Sequence, residues 1–127
     1  MNKIGITHIS NEHSDWLRSL DFYKQEIAIL KGRLTEIAGK NSHVDVLKQV
    51  EHFENQFKLQ TDNTERLMHD IKHNLKAIAK EAETAKAGYI DGILAEQHNA
   101  LGQKYETEEK IINELRHSFN EFAAQSM

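Results

Sequence analysis

The chain has 127 residues, 39% hydrophobic and 28% charged, with a net charge of −4 at pH 7, six glycines, no proline and no cysteine. That length suits one domain, and the scarcity of turn residues excludes a β-rich fold. The acidic balance without a basic run argues against nucleic-acid binding, while the lack of cysteine removes disulfides, thiolate nucleophiles and cysteine-held zinc.

Residues 1–9 read as an irregular lead-in without the continuous apolar core of a secretory signal. Asn11 or Ser14 can cap the first helix, with Glu12 and Asp15 near the positive end of its dipole. Trp16, Leu20, Tyr23, Ile27, Leu30, Leu34 and Ile37 then alternate four and three apart, a heptad seam. Leu17 and Phe22 widen the stripe, and Gly39 stands where a terminating glycine belongs. A helix over about 11–39 is expected.

Ser42 and Asp45 approximate a capping box for a second helix over about 43–83. Its seam runs Val46, Val50, Phe53, Phe57, Gln60, Thr64, Leu67, Ile71, Leu75 and Ile78 at near-heptad spacing, with Asn74 among its polar residues. Residues 60–64 combine poor helix formers with polar residues in the seam. A break at Asp62–Asn63 would give a four-helix bundle. Continuity is favoured, because the seam keeps its phase there and no Gly or Pro makes a turn. Polar residues within such a seam serve as register devices.

Gly88 can close this helix and Asp91 open a third, over about 90–124. Its apolar residues include Ile90, Leu94, Leu101, Tyr105, Ile112 and Phe119. A stutter near Gln103 interrupts the heptad, Gly102 costs about 1 kcal/mol relative to Ala, and residues 106–110 read as a charged, solvated segment. The expected fold is all-α: one domain over residues 1–127, an elongated antiparallel three-helix bundle, with the four-helix bundle as alternative. No stretch approaches the ~20 apolar residues of a membrane span, so a soluble, cytoplasmic protein without a membrane partner is expected.

Eight histidines make metal binding the chemistry to test. His69 and His73 stand at i, i+4, a spacing that lets two imidazoles share a metal. With antiparallel helices, His13, His69, His73 and His98 fall at one depth to within about a helical turn. They are the candidate ligands for a transition metal such as zinc or iron. The order His13, then His52 with Gln56, then His69 with His73, then His98 with Gln103 resembles the ligand order of hemerythrin-like proteins. That resemblance implies a four-helix, histidine-rich metal layer, although Gln56 and Gln103 replace both bridging carboxylates.

Helical phase points the other way. At about 100° per residue, His69 and His73 face away from the Leu67/Ile71/Ile78 stripe, and His52 is displaced from Val50/Phe53/Phe57. His13 comes close to its own seam and His98 flanks one. Solvated surface histidines are the simpler expectation. The one Glu-x-x-His pair, Glu114 with His117, has no second copy of the kind carboxylate-bridged bundles use. Without a convergent catalytic set, a non-enzymatic interaction or scaffold module is expected, with a protein partner or a homodimer covering Leu17, Phe22 and Ile111. A metal-binding bundle is the alternative.

Overall fold

The computed structural model describes residues 5–83 and 92–126. Among them the chain forms α1 (Ile6–Lys40), α2 (Val44–Ala82) and α3 (Gly92–Ser126), each packed against the other two. The protein is an all-α three-helix bundle. No helix among the described residues is long and apolar enough to cross a membrane.

The central helix is unbroken through Asp62 and Asn63, so the four-helix alternative falls. The reason is visible in the packing. Gln60 and Thr64, the polar seam residues at either end of that weak stretch, are both buried in the bundle, which holds the helix in phase there. Tertiary contacts override local propensity.

Helix ends required four corrections. First, α1 begins five residues before the expected Asn11, because Ile9 belongs to the core with Ile78 and Ala95. Asn11 and Ser14 therefore lie within the helix. Second, Gly39 does not terminate α1. The helix runs to Lys40, and Asn41 donates from Nδ2 to the Ile37 carbonyl at 2.8 Å, satisfying one of its last orphan acceptors. Third, His43 rather than Ser42 caps α2, its Nδ1 accepting from the Asp45 amide at 3.3 Å. Fourth, α3 ends at Ser126, two residues later than expected, and its carbonyl accepts from Asn41 Nδ2 at 3.4 Å. Gly88, Ile90 and Asp91, expected at the second turn, lie outside the described residues.

The core divides along the bundle axis into three apolar stretches. The largest, at the end where α1 passes into α2, contains Ile27, Leu34, Phe53, Phe57, Phe119 and Phe122. A middle stretch joins Leu20, Leu67, Ile71 and Leu101. The smallest joins Ile9, Ile78 and Ala95. Between them sit two layers of buried polar side chains.

Candidate functional site

The polar layers arise from seam positions that carry polar residues. In α3 the series His98, Leu101, Tyr105, Glu108, Ile112, Leu115, Phe119, Phe122 alternates three and four without interruption. The expected stutter near Gln103 is therefore absent. It came from passing over His98 and Glu108, both of which are buried. In α1, His13 likewise continues the seam from Ile9 to Trp16, and it is fully buried.

The first layer joins His13 from α1, Asn74 from α2 and His98 from α3. His13 Nδ1 stands 2.8 Å from the Ile9 carbonyl, and its Nε2 stands 2.9 Å from Asn74 Oδ1. Asn74 Nδ2 donates to Gln97 Oε1 at 3.3 Å. Burial holds the His13 imidazole below its ordinary 6.5, a desolvation effect that outweighs its two hydrogen bonds. The His98 ring lies 4.9 Å from that of His13. Its Nε2 meets Glu12 at 3.0 Å, while its buried Nδ1 has no hydrogen-bond partner.

Trp16 extends this layer as an aromatic stack, 4.8 Å from His98 and 5.9 Å from Tyr105. The indole lies against the backbone of α3 at Gly102. A Cβ there would stand 3.1 Å from Trp16 Cζ2 and 3.2 Å from Cη2, so the glycine permits the close approach. Tyr105 and Tyr23 both donate to Glu109 Oε2, at 2.9 and 2.8 Å. Burial, followed by that hydrogen bond, pushes the Tyr23 phenol up to about 12, and burial also raises Tyr105.

The second layer joins Gln60 and Thr64 from α2 to Glu108 from α3. Residues 106–110, expected from their charge to be solvated, thus contain a buried carboxyl. Thr64 Oγ1 donates to Glu108 Oε2 at 3.3 Å. With its amide oriented to donate, Gln60 Nε2 reaches Glu108 Oε2 at 2.8 Å and Oε1 at 3.1 Å. Burial raises the Glu108 carboxyl to about 7, with only partial opposition from the Thr64 hydrogen bond. Glu108 also borders an open cleft of about 550 Å³ between α2 and α3, whose rim carries Asn63, Arg66, Asp70 and Lys104. Thr64 and Glu108 have the atoms of a nucleophile and a base. Thr64 is fully buried, however, so a substrate cannot approach its hydroxyl.

The four sequence-derived metal candidates separate. His13 and His98 are brought together inside the bundle, which corrects the expectation that they are solvated. His69 and His73 are on the outside, with the His69 side chain 79% exposed. Their rings stack at 6.5 Å on the surface of α2. His52 is also exposed, so the hemerythrin-like interior layer does not assemble. Among the described residues, no three His, Cys, Asp or Glu side chains converge as a metal-binding group. Sequence reasoning missed Glu108 altogether, although its place in an otherwise regular heptad was a usable signal.

Comparisons of the chain with protein-family models, curated proteins and solved structures find no match.

Proposed function

We propose that this chain is a non-enzymatic helical interaction module that pairs with a second copy of itself through the outer face of α1. The observation that carries this reading is the exposure of Phe22 and Ile29, at 58% and 65%. Seven residues apart, they share one face of α1 two turns apart. Phe22 borders a cleft with Arg18, Tyr23 and Arg116, which supplies a polar rim to an apolar centre. A two-fold interface would bring the same face of both copies together. Leu17 and Ile111, expected to need such cover, are already partly buried within the monomer, so Phe22 and Ile29 carry the argument instead.

Sedimentation analysis of the chain and of Phe22→Ser/Ile29→Ser tests this reading. The native chain is expected to sediment as a dimer and the double variant as a folded monomer. A monomeric native chain at concentrations of hundreds of micromolar, or a variant that still dimerises, rejects it.

The alternative of a transition-metal protein has one observation in its favour, the unpartnered Nδ1 of buried His98. A neutral imidazole nitrogen is a zinc or iron ligand. Elemental analysis of tag-free protein tests it, with stoichiometric metal lost in His98→Ala as the expected result. Substoichiometric metal rejects it.

A further inference from the structure

We infer that His13, Asn74 and Gln97 form a proton-coupled amide relay, which carries the protonation state of a buried imidazole to the groove between α2 and α3. The His13 ring meets a partner at each nitrogen. Nδ1 lies 2.8 Å from the Ile9 carbonyl, which can only accept, so Nδ1 carries a hydrogen. Nε2 lies 2.9 Å from the Asn74 side chain, and Asn74 in turn lies 3.3 Å from Gln97. Two self-consistent arrangements of hydrogens exist.

In one, His13 is an imidazolium. Nε2–H donates to Asn74 Oδ1, Asn74 Nδ2 donates to Gln97 Oε1, and the Gln97 NH₂ is left facing outward. In the other, His13 is neutral. Its Nε2 lone pair then needs a donor, so the Asn74 amide turns over and presents Nδ2. Asn74 Oδ1 now accepts from Gln97 Nε2, and the Gln97 oxygen faces outward. Loss of one proton at His13 therefore changes the outward Gln97 atom from donor to acceptor. Asn74 is buried and Gln97 exposed, so the chain connects the interior to the surface. Its outer end borders a groove of about 300 Å³ with Asp70, His73, Ala100 and Lys104.

The charged and titratable groups around the relay come from all three helices. On α1, Glu12 neighbours His13 and pairs with His8 at 2.9 Å. On α3, the His98 ring faces His13, and Lys104 borders the groove. On α2, Asp70 and His73 flank its outer end. Desolvation of His13 favours the neutral arrangement near neutral pH and the imidazolium arrangement on acidification. His98 cannot substitute within this chain, because Glu12 takes its Nε2 and its Nδ1 has no partner.

The test is nitrogen NMR of the full chain across acidic to neutral pH, following the His13 ring and the Asn74 and Gln97 side-chain amides. Neutral His13 is expected as the Nδ1–H tautomer, and both amides are expected to shift with the same midpoint as His13. In His73→Gln the Gln97 response should persist, and in Asn74→Leu it should vanish while His13 still titrates. A neutral His13 protonated on Nε2 overturns the relay. So does a Gln97 amide that stays constant, follows the His73 midpoint, or keeps its His13-linked response in Asn74→Leu. The native-chain tautomer and midpoints decide the matter even where Asn74→Leu fails to fold.

Discussion

The two halves of the bundle reach burial by different means. At one end, Phe53, Phe57, Phe119 and Phe122 meet in mixed stacked and edge-on geometry, with Phe57 and Phe119 centroids 5.3 Å apart. At the other, the positions that should hold such residues carry His13, Asn74 and His98, with Trp16 laid against Gly102. An aromatic core stabilises through area and dispersion. A polar layer contributes less net stability, yet a one-position slip leaves His13 or Asn74 without partners. Such layers fix alignment in helical bundles. The molecule thus separates strength from alignment along a single axis.

The largest expected effect tests the strong end. Phe119→Ala removes a fully buried ring that touches Phe53, Phe57 and Phe122, and it should cost roughly 3–5 kcal/mol by denaturant unfolding. A loss under about 1 kcal/mol would mean that the aromatic end is not the stabilising half.

The second effect is smaller and depends on pH. Glu108 has an ordinary carboxyl value of 4.5 and is raised to about 7 in the fold. The folded chain therefore holds this proton more tightly than the unfolded chain. Its stabilising contribution is full below about pH 4.5 and is lost as pH rises to about 7. Glu108→Gln keeps neutral shape at every pH, so at pH 8 it should be more stable than the native chain by on the order of 2 kcal/mol, with little difference at pH 4. His13 acts with the opposite sign. Its lowered value gives a contribution present above pH 6.5 and lost as pH falls through the folded value. Thermal unfolding from pH 4 to 8 checks both, and equal pH profiles for the native chain and Glu108→Gln would refute the Glu108 assignment.

The comparison also explains what could be read from the sequence. The apolar seam from Trp16 to Ile37 and the continuity of α2 were legible, because spacing alone reports which face is buried. The outward turn of His69 and His73 followed from the same phase argument. The polar layers were harder to see, since apolar periodicity treats a histidine or glutamate as a gap. His98 and Glu108 thus read as a stutter, although their spacing was perfect. Nothing in their type revealed that Thr64 and Gln60 would stand opposite Glu108, or that Glu12 would meet His98. Partners come from different helices, and only the packed structure brings them together. The early start of α1 was hidden for a related reason: Ile9 is held in place by Ile78 and Ala95.

Gly102 lies where the Trp16 indole packs against α3. Replacing it by Ala recovers about 1 kcal/mol of helix propensity. It also brings a methyl group within 3.1 Å of a half-buried Trp16, which must give by a few tenths of an ångström. The terms nearly cancel, so Gly102→Ala should change stability by less than about 1 kcal/mol. The Trp16 fluorescence should shift as the indole moves relative to His98 and Tyr105. An unchanged emission spectrum would show that the close approach does not position the ring.

The smallest effect is expected where the chain looks most chemical. His73 and His69 are exposed on α2, and the water around them differs little between folded and unfolded chains. His73→Ala should therefore fall within about ±0.5 kcal/mol of the native chain, the range of ordinary surface substitutions. His13→Ala, by contrast, removes a buried ring and leaves Asn74 Oδ1 without its partner, and should cost on the order of 2–3 kcal/mol. Denaturant unfolding of the two variants under one buffer makes the contrast direct. If His73→Ala were as costly as His13→Ala, the outer face of α2 would have to be covered in solution, and the division between an interior and an exterior histidine pair would fail.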